Sequence, residues 1–368
     1  MAEVREDGGC REIFVVTDRR FGLHSPEAFP ECPARLGWAM EGVLAAAGGL
    51  GLAVKMKPPP APEAVDRLIH EVHSPRYLFR LRELAAGGGG ALSLDTEVST
   101  ESFDVARLAV SAACHAVQIC TESLVPAIAL VRPPGHHAGV SSGTGFCLLN
   151  NAAVAARHAQ TLAARGTARV AIVDWDVHHG NGTDEIFTAD PDVLYVSMHE
   201  FPLYPYSGWT TECGTGAGEG RTVNLPLPGG LTDAQALEAF RRVVMPVLAA
   251  FAPAAILVSA GQDGHWRDPM SSWRLTAAGY AGMAGELAGF ASRTGMPPPA
   301  VTLEGGYSAS GMAASFAGIA AGLTELDWPA LEDLDRAAPP EPSPRQKDAF
   351  QRRLDEIVSV QARYWPVA

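Results

Sequence analysis

The sequence predicts an α/β protein with a central, mostly parallel sheet flanked by helices on both faces. Three observations carry that prediction. Short apolar, β-branched runs recur along the 368-residue chain, longer stretches with helical spacing lie between them, and polar or glycine-rich residues close each run. Strands that are apolar throughout need cover on both faces, which crossover helices provide. Apolar residues (47%) outnumber charged ones (19%) enough for a large core.

In chain order the predicted strands are IFVVT (13–17), AIALV (127–131), VAIVD (170–174), VLYVS (193–197), AAILVS (254–259) and AVTLE (300–304). Helical spacing covers 75–86, 104–122, 150–164, 233–251 and 275–292. The tetraglycine at 87–90 reads as a flexible loop rather than a domain linker. A low-complexity stretch, RAAPPEPSPRQ (336–346), precedes a final helix over about 347–362. That helix packs on its own domain or on a neighbouring subunit, so a homo-oligomer stays open. With no internal repeat, residues 1–368 are expected to form a single domain, with a core over about 12–330 and a C-terminal helical extension over about 340–364.

Composition narrows the function classes. The formal charge of −13 and the absence of a Lys/Arg cluster argue against a nucleic-acid partner. The six cysteines are scattered without a C-x-x-C pair, which fits neither a zinc ribbon nor a disulfide framework. The start, MAEVREDGGCREIFVV, lacks the apolar core of a signal peptide, and no run approaches the ~20 apolar residues that span a bilayer. A reduced, cytoplasmic protein without membrane contact is expected.

Ligands of parallel sheets gather beyond the carboxyl ends of the strands. Polar motifs fall there: RPPGHH after 127–131, DWDVHHGNG after 169–173, MHEFPLYP after 193–197, GQDGHWRDP after 254–259 and EGGY after 300–303. In DWDVH, an extended segment would turn residues i and i+2 to one side, presenting Asp176 and His178 to a single ion. A catalytic zinc takes three protein ligands, and Asp263 at another strand end is the natural third. Alone, an Asp beside a glycine is ordinarily a turn residue; the convergence of loops favours the metal.

In RPPGHHAG, Pro133 and Pro134 stiffen a corner and Gly135 lets it turn, projecting His136 and His137. Such a pair needs partners that set its tautomers, and Asp174 and Asn181 are the spare polar groups flanking the metal pair. A carboxylate makes its imidazole more basic than an amide does, which separates an acid from a base. Tyr307, after Gly-Gly, could swing a phenol toward a developing oxyanion, although a lone Tyr there is ordinarily a packing residue. Phe146, in GTGFCLLNN, lies just before a helix and by default packs in the core, and PLYPYSG (202–208) lines a channel or merely stiffens a connection.

PPGHHAG, GFCLLNN, DWDVHHGNGT, SAGQDG with RDP, and LEGGY, in this order and spacing, resemble the histone deacetylase superfamily over roughly residues 20–325. Within it the likeness is to class II-like bacterial deacetylases and deacetylase-like amidohydrolases. FPECPARL (29–36) stands for the family's HPE-x-P-x-RL element, with Phe29 in place of His at a structural or rim position. The resemblance implies the arginase/deacetylase fold with an eight-stranded sheet, and one catalytic zinc on Asp176, His178 and Asp263. It pairs His136 with Asp174 and His137 with Asn181, and gives Tyr307 the acyl carbonyl. It places Phe146 on the lysine stem, with Gly145, Pro134 and Met270 along the same channel. A structural potassium ion at Asp174, Asp176, His178, Ser197 and Met198 is also implied. Binuclear relatives use D-x-H-x-D; Gly180 here removes the last ligand, favouring one metal.

The expected activity is therefore zinc-dependent hydrolysis of N-acyl-lysine amides. A rival substrate class is acetylpolyamines or other small acylated amines, whose selective relatives carry Glu where this chain has Met270. A non-catalytic acyl-lysine binder is a third reading, and it predicts lost ligands or a lost tyrosine, neither of which is seen.

Overall fold

The computed structural model describes residues 11–25, 30–162, 169–335 and 342–368. Phe29, the first ten residues and most of the 336–346 stretch lie outside those residues. The main sheet has eight strands: β1 (Glu12–Val16), β2 (Ala53–Lys57), β3 (Ala127–Ala129), β4 (Val170–Asp174), β5 (Val193–Glu200), β6 (Thr222–Leu227), β7 (Ala255–Ala260) and β8 (Ala300–Leu303). Their order is β2-β1-β3-β8-β7-β4-β5-β6. Every pairing is parallel, so "mostly parallel" becomes wholly so. The five motif-bearing strands are adjacent, from β3 across to β5, which gathers their loops at one edge.

Side chains alternate between two covered faces, as the pleat requires. In β4, Ala171 and Val173 join the core cluster on one face, and Val170 and Ile172 join the cluster on the other. Burial of both clusters is the main term holding the sheet between its helices.

The two strands of the main sheet not read from the sequence are its two edges. β2, AVKMK, is largely exposed, and Lys55 pairs with Glu12 on β1 at 2.6 Å. Charge on an edge blocks pairing with another chain. β6, TVNLPL, is interrupted by Asn224 and Pro226, and proline is tolerated at an edge because no donor is needed there. The last helix, Pro344–Gln361, and the residues after it cover this edge: Trp365 Nε1 donates to the Gly220 carbonyl at 2.8 Å. The helix therefore packs on its own chain.

Besides the short Asp66–Val72 and Asn181–Phe187, two long helices were also missed, Ala34–Leu50 and Ala309–Leu323. The second lies between the first and Ala277–Thr294, buried nearly all round, so it carries no polar stripe for periodicity to detect. Glycine makes the approach possible: a side-chain carbon on Gly42 would collide with the Ala313 carbonyl. The 233–251 stretch is one continuous helical run with a π-turn over Phe240–Val244, just before Pro246. Of the tetraglycine, Gly90 already belongs to a short strand, Gly90–Ala91, paired with Glu97–Val98.

Ser102–Ser123 is long and apolar enough to cross a membrane by length and composition, contrary to the sequence expectation of no such run. Most of it is buried inside the fold against the sheet and the helix Asn151–Leu162, which accounts for its hydropathy. The five described cysteines are free.

Candidate active site

Beyond Asp174 the chain leaves β4 in a tight turn rather than continuing extended, which corrects the expected route to the metal pair. Asp174 Oδ1 accepts the Asp176 N–H at 3.1 Å, and Asp176 Oδ1 accepts the His178 N–H at 2.9 Å. These side-chain-to-backbone bonds fold the segment, and the side chains still converge. Asp263 follows β7, and its Oδ1 accepts the Val177 N–H at 3.0 Å. His178 Nδ1 then lies 3.1 Å from Asp176 Oδ1 and 3.1 Å from Asp263 Oδ2. The three ligand atoms lie within 4.8 Å of one another, and all three residues are buried.

The chemistry of this cluster fits a divalent ion. Two buried carboxylates facing one imidazole create strongly negative potential in a place water screens poorly. Burial opposes a charged His178, yet the bonds and charges of Asp176 and Asp263 push it up to about 10. Burial would raise Asp176, but His136 and His178 hold it well below its ordinary range, while burial and the Asp176 charge push Asp263 up. The cluster thus recruits positive charge. Its walls are backbone: Gly305 N–H donates to Asp176 Oδ2 at 2.8 Å, and a side chain on Gly261 or Gly305 would collide with the ligand carboxylates.

The RPPGHH corner after β3 brings two more imidazoles. His136 Nδ1 donates to Asp174 Oδ2 at 3.1 Å, and His137 Nδ1 donates to Asn181 Oδ1 at 2.7 Å. The ring centroids are 4.0 Å apart. Burial opposes charge on His136, but Asp176 and Asp174 push it up to about 10. Burial, followed by the neighbouring His136 and His178, drives His137 well below the usual imidazole range. Two adjacent histidines therefore hold protons with very different affinity, as a proton-transfer pair must.

Tyr307 follows β8 and stands 5.9 Å, ring to ring, from Phe146. Burial raises its phenol well above the ordinary value, so it remains a hydrogen-bond donor. Both residues line a cavity of about 220 Å³ that reaches His136, His137, Asp176 and His178. Pro134, Gly145 and Met270 line it too, so every residue assigned to the channel meets there. Phe146 sits at φ 68°, a conformation a bulky residue adopts only when held. Its N–H donates to Thr96 Oγ1 and that of Gly145 to Asp95 Oδ1, both at 3.0 Å. A larger surface groove of about 490 Å³, near Ile69, Leu78 and Phe103, lies away from all the strand-end loops.

Several residues around the site went unread in the sequence. Tyr195 donates to Asp174 Oδ2 at 2.9 Å from the neighbouring strand. Glu304 accepts the Gly135 and His136 N–H groups at 2.6 and 3.1 Å, and burial pushes it up to about 7. Tyr204 is the exception: of the two readings of PLYPYSG the channel wall is the one seen, with the Tyr204 ring lining the cavity 5.2 Å from that of His137. Arg35 bonds the Gly306 carbonyl at 2.6 Å and the Glu304 carbonyl, and lies 4.9 Å from the Tyr307 ring centre. Glu31 joins Arg35 to Arg132, with nearest contacts of 2.9 and 2.6 Å. The signal for Glu31 and Arg35 was present in FPECPARL, as charges embedded in a short apolar motif; Tyr195 becomes legible only once strand register is known. His179 turns away from the cavity, with Nδ1 on Ser207 Oγ at 2.9 Å and Nε2 3.3 Å from Asp184.

A wholly parallel sheet with these groups at one end defines a hydrolytic enzyme of the arginase/deacetylase fold. The Histone deacetylase domain family matches residues 29–323. A probable deacetylase of Archaeoglobus fulgidus is 39% identical over 301 residues, covering 80% of this chain and 82% of the relative. A histone deacetylase-like amidohydrolase of Pseudomonas aeruginosa is 37% identical over 262 residues, covering 70% and 68%. The crystal structure of the HDA15 HD domain superposes with a TM-score of 0.81 at 33% identity, over 96% of each chain. The chain belongs to the histone deacetylase family. Membership makes it a deacetylase or amidohydrolase acting on acylated substrates, in a family that is generally metal-dependent.

Proposed function

We propose that this protein hydrolyses N-acyl-lysine amides with one zinc ion held by Asp176, His178 and Asp263. The observation that carries the reading is the pair of imidazoles, His136 on Asp174 and His137 on Asn181, facing the same cavity as the ligand cluster and Tyr307. Zinc when bound supplies Lewis acidity toward water and the acyl oxygen. Asn181 and Asp174 orient the two imidazoles through Nδ1, leaving each Nε2 for the reaction. His137, kept neutral by its surroundings, takes the proton from the attacking water. His136, backed by Asp174, carries positive charge and supplies the proton to the departing amine. The Tyr307 phenol donates to the oxyanion as it develops. Phe146 and Tyr204 enclose the aliphatic stem.

Met270 lines the cavity at the position where polyamine-selective relatives carry Glu, which supports lysine over a polyamine. A structural potassium ion at Asp174, Asp176, His178, Ser197 and Met198 belongs to the same proposal. The register pairing of Asp174 with Ser197 supports it.

Turnover of an acetyl-lysine peptide beside acetylspermidine tests the reading. Preference for the peptide, and a loss of about a hundredfold in Tyr307→Phe, is expected. Preference for acetylspermidine would replace the substrate, and a fully active Tyr307→Phe would remove the phenol from the mechanism.

A further inference from the structure

The residues matching the family end at 323, yet the segment beyond them reaches the loop behind Tyr307. Asp335, buried at the end of the helical turn Pro329–Asp335, gathers three successive side chains of the loop after β7. Its Oδ1 accepts Trp266 Nε1 at 2.9 Å and Arg267 Nη1 at 2.6 Å, and lies 3.3 Å from His265 Nε2. Its Oδ2 accepts the Ala277 N–H at 2.8 Å, and Arg267 Nη2 also bonds the Leu334 carbonyl at 3.3 Å. One carboxylate thus ties the loop to the start of the next helix.

The loop continues to Asp268, whose N–H donates to the His265 carbonyl at 2.8 Å. Asp268 Oδ2 accepts the Tyr307 N–H at 2.5 Å and the Ser308 N–H at 3.0 Å. Its other oxygen accepts the Met270 N–H at 3.0 Å. Tyr307 follows two glycines, Gly306 at φ 112°, so its own backbone is a soft support. Asp268 supplies the missing stiffness from one side and Arg35, on the Gly306 carbonyl, from the other.

From this chain of bonds we propose that Asp335 is a positioning residue for Tyr307, acting through His265–Asp268, so that the C-terminal segment completes the catalytic end of the sheet. The inference rests on the reading of Tyr307 as the oxyanion donor. Donor placement within a fraction of an ångström decides oxyanion stabilisation, and a misplacement near 1 Å costs about a hundredfold.

The test is a double-mutant cycle in the zinc-loaded full chain, reading kcat and KM on an acetyl-lysine peptide. Asp335→Asn is expected to lower kcat by roughly tenfold or more with KM and zinc content unchanged. In a Tyr307→Phe background the same change is expected to have no further effect, because the group it positions is gone. Equal losses in both backgrounds, or wild-type kcat in Asp335→Asn, overturn the inference and leave the role of Tyr307 standing. Full activity of Tyr307→Phe alone would instead fail the underlying reading. If Asp335→Asn does not fold, Arg267→Gln, which cuts one arm of the clasp, runs through the same cycle with the same criteria.

Discussion

Two loops of this molecule carry the same dipeptide and use it differently. In the corner after β3, His136 and His137 both line the cavity. In the loop after β4, His178 lines it while His179 turns to Ser207 and Asp184 behind the channel loop. The difference lies in what each Nδ1 meets. His136, His137 and His178 meet Asp174, Asn181 and a pair of carboxylates at the strand ends; His179 meets a hydroxyl on a surface loop. A histidine pair is thus a statement about geometry only after its partners are known, and on the proposed function the four imidazoles divide into ligand, proton pair and brace.

The sharpest way to break that division is to remove a metal ligand. Asp263→Asn is expected to abolish zinc binding and to lower turnover by well over the roughly 10–100-fold that loss of an outer partner costs. Metal content measured beside peptide turnover checks it, and a variant that keeps both would remove Asp263 from the ligand set.

Replacing His136 or His137 by Ala is expected to cost about 10²–10⁴ in kcat while zinc stays bound, the range for lost general acid–base catalysis. His179→Ala is the matched control. It costs Ser207 Oγ one hydrogen bond while Asp184 keeps Thr222 and Asn224, so about 0.5–1.5 kcal/mol of stability is expected to go while kcat stays within roughly tenfold of wild type. A His179→Ala enzyme as slow as His137→Ala, with zinc intact, would erase the distinction between the loops.

The smallest effect is expected in the buried network beneath Tyr307. Burial would raise Glu31, but its bonds and charges with Arg132 and Arg35 hold it down to about 2, and burial lowers His24 to about 4 from 6.5. Both folded values lie below the unfolded ones, so the unfolded chain takes up protons first as pH falls. Stability is fully present above about pH 6.5, erodes through the His24 range, and then erodes through the Glu31 range below about 4.5. Thermal unfolding followed from pH 7 down to about 2 should show a falling midpoint, with the part below about 4.5 flattened in Glu31→Gln.

How much was legible follows the same logic. Interior strands and strand-end motifs could be read because apolar runs closed by polar residues are local signals. The edge strands could not, because Lys55 and Lys57 in one and Pro226 in the other break the apolar run that identifies a strand. The Ala309–Leu323 helix escaped because a helix buried on all sides has no stripe. Among site residues, ligands and histidine pair stood out as clustered types at strand ends. Tyr195, Glu304 and Asp335 did not, since each acts across the sheet or across the chain, through register and long-range contact that composition does not encode.

The central claim is that the buried Asp176–His178–Asp263 cluster holds the one zinc ion on which acyl-lysine hydrolysis depends. Its most direct test strips the purified protein of metal with a chelator, then adds zinc back stepwise while following acetyl-lysine peptide turnover and bound metal together. Turnover lost on stripping and restored in proportion to zinc, saturating at about one equivalent per chain, is the expected result for a three-ligand catalytic site. Undiminished hydrolysis by the metal-free protein, or restoration that tracks no zinc at this cluster, would contradict it.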